Sequence, residues 1–211
     1  MATETPTTMS NIALTRCGAA EITSFEDDES REAIMCRRLF HTARRTALAQ
    51  HNWNGALRAV QLTENTAITP IFYSYAFTLP VDMLRLVSVH PSDDLRASCQ
   101  YSLQNANSTE ADNILVTDSN QIYIRYIFDN TDLNTLSDGF REVLVFVLAR
   151  DLCLAMGKSA QKYDLTNKEY RRALTMAKSI DGMQDYPERL AEGSWVTGRY
   201  GLYSDQTITR S

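Results

Sequence analysis

Residues 28–60 read DESREAIMCRRLFHTARRTALAQHNWNGALRAV, and this stretch decides the fold. Ala33, Cys36, Phe40, Ala43 and Ala47 recur three and four residues apart, with Leu39 and Leu48 beside them. That spacing predicts a helix that buries one face. Asp27, Asp28, Glu29 and Glu32 crowd its start, where negative charge complements exposed amides and the positive end of the helix dipole. The predicted helix runs from Asp28 to His51, about 35 Å at 1.5 Å per residue. Arg37, Arg38, His41, Arg44 and Arg45 follow along it as a basic stripe. Asn52-Trp53-Asn54-Gly55 then reads as a turn carrying a large aromatic, and Leu57–Leu62 alternates as a strand does. Trp53 is expected to plug the junction between helix and sheet.

Working outward, Met9–Cys17 predicts a short helix with Gly18 as its left-handed cap. Ile22 and Phe25 are expected to tuck under the long helix. Downstream, the alternation of Tyr73, Tyr75, Phe77 and Leu79 predicts a strand ended by Pro80, and Leu84, Leu86, Val87 and Val89 continue as a strand or a turn into one. Tyr101–Leu103, Asn113–Thr117 and Gln121–Phe128 add further strands. Asp118-Ser119-Asn120 reads as a hairpin turn joining the last two. Residues 56–130 are therefore expected to form one small antiparallel sheet. Ser137 should cap a well-buried helix from Asp138 to Met156, ended by Gly157. Thr166-Asn167-Lys168-Glu169 reads as a capping box opening a last helix, with Tyr170, Ala173, Leu174, Ala177 and Ile180 along one side.

The expected class is α+β. A helical bundle takes its helices from residues 1–55 and 131–186, a sheet is inserted at 56–130, and an extended arm occupies 187–211. The arm has no periodicity but carries Trp195, Tyr200 and Tyr203 among glycines, the composition of a docking segment. With Arg199 in support, it is expected to reach a neighbouring subunit or another partner. The competing expectation is that Trp195 folds back onto its own domain.

The chain has 211 residues, 44% hydrophobic and 22% charged, an ordinary globular composition. A formal charge of -5 argues against a dedicated nucleic-acid binder while leaving room for a conduit that repels passing DNA. Cys17, Cys36, Cys99 and Cys153 are scattered without a CxxC pair, which predicts free thiols in a reducing compartment. Met1–Ser10 is polar, so no signal peptide is expected, and the apolar run Val143–Ala149 is too short to span a membrane. Gly157-Lys158-Ser159 resembles the end of a phosphate loop, but Leu152 stands where the motif requires its first glycine. Glu26–Glu29 lacks the alternation and central glycine of a calcium loop. His41, His51 and His90 fit no catalytic spacing, so no enzyme activity, cofactor or metal is expected. The sequon at Asn107 reads as chance.

Three strings carry a resemblance: TRCGAAEITSFEDDESREAIMCRRLFHTARRTALAQHNW at 15–53, YSYAFTLPVDMLRLVSV at 73–89 and IYIRYIFDNTDLNTLSDGFREVLVFVLARDLCLAM at 122–156. Together, and in this order, they resemble phage tail tubular protein A, the head-to-tail adaptor of short-tailed phages. The features that match are Gly18, the Ile22–Asp28 turn, the spaced helix and Trp53, then Pro80, Asp82 and Arg85, and the last strand with its following helix. The resemblance spans roughly Ile12 to Gly182. It implies a structural virion protein in the neck, made in the host cytoplasm. Such a protein forms a ring of about twelve copies between portal protein and a tail nozzle, and genomic DNA passes through the lumen without sequence recognition. Arg37, Arg38, Arg44, Arg45, Trp195, Arg199, Tyr200 and Tyr203 are the expected interface residues. Other expectations are a different neck or tail-completion protein, and a small-ligand-binding or enzymatic domain.

Overall fold

Ser30, and not the acidic run before it, starts the long helix. In the computed structural model, which describes residues 4–93, 97–105 and 113–184, the Ser30 hydroxyl accepts from the amide of Ala33, and helix α2 spans Arg31–Ala49. Asp28 falls short of the helix because its carboxylate is already engaged. It accepts from the amides of Thr23 at 2.9 Å and Ser30 at 2.8 Å, closing the turn that precedes the helix. The predicted stripe is otherwise the buried face of α2. Helix α1 spans Pro6–Cys17, opened by a Thr5–Thr8 capping box and closed by Gly18 at φ 70°. The intervening turn docks as expected: Ile22 is buried and the Phe25 ring meets Phe40 edge-on at 5.3 Å.

Helix α3 spans Asp138–Ala155 with Ser137 as its cap, and it packs against α1, α2 and the last helix. Ten of its residues are buried, which is why it reads as a nearly continuous apolar run. Helix α4 spans Ala160–Gln184 without interruption, so the capping box at Thr166 is not formed. The Thr166 hydroxyl donates instead to the carbonyl of Lys162 one turn back, at 2.9 Å. Ser159 does the capping, accepting from the Lys162 amide. The buried face of α4 is Thr166, Tyr170, Ala173, Ala177 and Asp181, and the expected Ile180 lies outside it.

The β region contains two sheets, where one was expected. Strands β1 (Leu57–Leu62), β6 (Ile122–Phe128) and β3 (Met83–His90) form the first, antiparallel in the order β1-β6-β3. Strands β2 (Tyr75–Thr78), β5 (Asn113–Thr117) and β4 (Tyr101–Asn105) form the second, in the order β2-β5-β4. The segment Asp118–Asn120 therefore crosses between sheets and is not a hairpin turn. Strand β5 is buried on both faces. It sits centrally with its own partners on either side, which leaves it no edge for β6.

Side-chain alternation orders these layers. Ile127, Leu57, Leu84 and Val87 join the helical core, while Ile122, Ile124 and Tyr126 face Phe77 and Leu115 of the second sheet. The far face of that sheet, Ala76, Ile114 and Val116, is covered by Ile68 and Tyr73 from the loop before β2. The architecture is thus α+β: helices, first sheet, second sheet and covering loop.

Gly55 is required where the chain passes from helix to sheet. A Cβ there would stand 2.6 Å from the carbonyl oxygen of Thr135. Gly55→Ala is expected to cost roughly 1–3 kcal/mol, as overpacking against backbone does, read as a lowered thermal midpoint. An unchanged midpoint would mean that this crossing is looser than described.

Candidate interface surfaces

The arginine stripe of α2 divides into inward and outward members. Arg37 donates to the carbonyls of Phe25, Glu26 and Asp28 at 2.8–3.1 Å and so clamps the turn in front of its own helix. Arg44 is buried and donates to Asp129 at 2.9 Å. The other oxygen of Asp129 lies 3.8 Å from both His41 and Arg45. Arg38 and Arg45 are exposed, so of the four arginines these two present charge to the outside. Glu26, Asp27 and Glu29, in the turn before α2, are exposed as well. Trp195, Arg199, Tyr200 and Tyr203 lie outside the described residues.

Around Trp53 the chain builds a polar collar that holds the sheets to the helices. Trp53 is 1% exposed and donates its indole N–H to the carbonyl of Ala47 at 2.9 Å. Arg85 of β3 donates to the Asn52 side chain. Asn130 donates to the Gly55 carbonyl at 2.9 Å and the Thr135 hydroxyl at 2.8 Å. Asp181, 3% exposed near the end of α4, accepts from the Asn54 amide and pairs with His51 at 3.2 Å. Asp129, Asn130 and Asp181 escaped the sequence reading. Their only local signal is a polar residue placed just beyond an apolar strand or inside an apolar helical face.

Among the described residues, large apolar side chains stand exposed on the loops of the β region. Ile71 and Phe72 are 89% and 85% exposed, and Val81 in the turn before β3 is fully so. The loop carrying Ile71 and Phe72 is pinned at both ends. Asn65 bonds Ala76 and Thr78 on one side, and the amide and hydroxyl of Ser74 donate to Asp118 on the other. A hydrophobic pair held out on a tied loop is the form of an interface anchor.

Among the described residues no cluster of three or more His, Cys, Asp or Glu side chains could hold a metal ion. Burial raises the Cys36 thiol to about 11 and pushes Cys17 and Cys99 up as well, so none is poised as a thiolate. Backbone amides of Thr23 and Ser30 hold the Asp28 carboxyl far below the usual carboxylate range. A depression of about 330 Å³ over β1 and β6 includes His90, Tyr123 and Arg125. Both His90 ring nitrogens are already bonded, to the Ala97 carbonyl and the Ser88 hydroxyl, so this histidine has no nitrogen to offer a ligand. Lys158, from the phosphate-loop lookalike, donates to the carbonyl of Gly18 at 2.8 Å and fastens α4's approach to α1.

Compared with protein-family models and with curated proteins, the chain matches none. No helix among the described residues is long and apolar enough to cross a membrane.

Proposed function

We propose that the chain is a head-to-tail adaptor of a short-tailed phage. In this reading it forms a ring, of about twelve copies, between a portal protein and a tail nozzle, and DNA passes through it. The observation that carries the reading is the pair Ile71 and Phe72, held nearly fully exposed on a loop tied down at both ends. A neighbouring copy would bury that pair. The ordered resemblance from Ile12 to Gly182 supplies the kind of assembly. The charge layout supports it: acidic residues Glu26, Asp27 and Glu29 and basic residues Arg38 and Arg45 are separate and exposed, so neighbours around a rotation axis can pair heterologously. A net charge of -5 suits a wall that DNA must slide past.

Light scattering during size-exclusion chromatography tests self-association. The wild type is expected to assemble as its concentration rises, and Ile71→Asp with Phe72→Asp to remain monomeric with an unchanged thermal midpoint. Assembly by the double variant equal to that of the wild type would remove the loop from the interface. Surface pairs are screened within about 8 Å at physiological salt. Adding salt should therefore weaken the ring only to the extent that the charged contacts, and not the apolar loop, hold it.

A further inference from the structure

Each sheet has two outer edges, and among the described residues one edge of each is guarded while the other is open. Strand β2 is covered along its outer side, where Glu64 bridges Phe77 and the Asn65 amide donates to the Ala76 carbonyl at 2.8 Å. Strand β3 breaks its register with β6 twice, between Met83 and Arg85 and between Leu86 and Ser88. Irregularities of that kind twist an edge away from further pairing. The outer edges of β1 and β4 have neither device. The six residues of β1 run in unbroken register with β6, and the five of β4 in unbroken register with β5. Among the described residues no strand pairs with the far side of either.

Side-chain chemistry leaves these two edges open as well. Neither strand carries proline or lysine, the residues that ordinarily protect an exposed edge. Strand β4 has no charged residue. The one charge on β1, Arg58, is drawn back onto its own sheet, 2.6 Å from Asp82 and with its guanidinium 3.5 Å over the Phe128 ring. Val60 of β1 is 39% exposed, and Tyr101 and Leu103 of β4 are 42% and 50% exposed. An uncharged, partly apolar edge with free backbone donors and acceptors is a template for another strand.

We infer that the outer edge of β1 pairs antiparallel with the outer edge of β4 of a second copy, so that each β1–β6–β3 sheet runs on into the second sheet of its neighbour. The inference rests on the proposed self-assembly and deepens it by naming the surfaces that meet. The two strands match in length, and Val60 with Tyr101 and Leu103 supplies cross-strand apolar pairs. Because the two edges belong to different sheets of one chain, the contact is heterologous. Each copy offers β1 to one neighbour and β4 to the other, the arrangement that closes into a ring when the rotation allows. Pairing of like edges, β1 with β1 or β4 with β4, would instead end at two copies.

Hydrogen exchange of the full-length protein, dilute and concentrated, reads the pairing directly. Amides of residues 57–62 and 101–105 are expected to exchange about tenfold more slowly, or slower still, in the assembled protein. Val60→Lys and Leu103→Lys each place a charge on one edge at an exposed position. Each variant is expected to keep the wild-type thermal midpoint and to stay monomeric alone. Mixed, they should form a dimer and stop there, since the intact β4 of Val60→Lys meets the intact β1 of Leu103→Lys. Wild-type assembly without protection of both segments overturns the inference, as does either variant assembling alone like the wild type, or a mixture that yields no dimer. In those cases self-association itself stands. A wild type that is monomeric at every concentration removes the self-association reading together with the inference. Should either variant misfold, the wild-type exchange measurement still decides.

Discussion

Trp53→Ala is expected to destabilise the protein by about 3–5 kcal/mol, the range for truncating a buried aromatic. The indole lies 1% exposed between the end of α2 and the start of β1. It meets Phe140 of α3 edge-on at 5.3 Å and His51 at 4.9 Å. Its removal opens a cavity shared by α2 and α3 and strips the Ala47 carbonyl of the donor it holds at 2.9 Å. Against a total stability of about 5–15 kcal/mol, such a loss takes the chain close to unfolding at ordinary temperature. Trp53→Phe separates the two contributions, because it keeps most of the volume and loses the hydrogen bond, worth about 1 kcal/mol. Urea midpoints read both variants. Equal midpoints for Trp53→Ala and wild type would mean that the helices and sheets are not joined through this ring.

Asp129→Ala is the second large effect, about 3 kcal/mol, the lower end of the cost of leaving a buried charge unpaired, since the Asp129 side chain is itself 21% exposed. Arg44 is 7% exposed and its Nη2 rests on Asp129 at 2.9 Å, while its Nε has no hydrogen-bond partner. Without Asp129 a guanidinium would remain buried with no carboxylate beside it. Arg45 and His41, at 3.8 Å, are too exposed to lose much. Adding Arg44→Met to Asp129→Ala should recover much of the loss, because the methionine removes the stranded charge and keeps apolar bulk. The double-mutant cycle on denaturation midpoints measures this. A cost below about 1 kcal/mol for Asp129→Ala would mean that water reaches Arg44.

What could be read from the sequence follows the range of the interactions involved. The buried faces of α2 and α3 were legible because periodicity records burial directly, and Trp53 was legible because a large aromatic at a turn needs a core. Helix starts were less so. The acids before α2 fit a capping rule, yet the Asp28 carboxylate is drawn to Thr23 and Ser30, and Ser30 takes the cap. Thr166 satisfies the capping-box pattern equally well in letters, but its hydroxyl bonds back to Lys162 inside a continuous helix. The split into two sheets was hidden because strand pairing is nonlocal. Apolar strands β5 and β6, only a short turn apart, gave no sign that each is the central strand of a different sheet. Of the expected interface residues, Arg37 and Arg44 turn out to have internal partners. Those partners are backbone carbonyls and an aspartate 85 residues away, which no local pattern encodes.

The central claim is assembly into an adaptor ring, and electron microscopy of the purified chain mixed with isolated portal protein tests it most directly. The account predicts class averages with a closed ring seated on one end of the portal, its lumen continuous with the portal channel. A chain that stays monomeric, both alone and beside the portal, would contradict it.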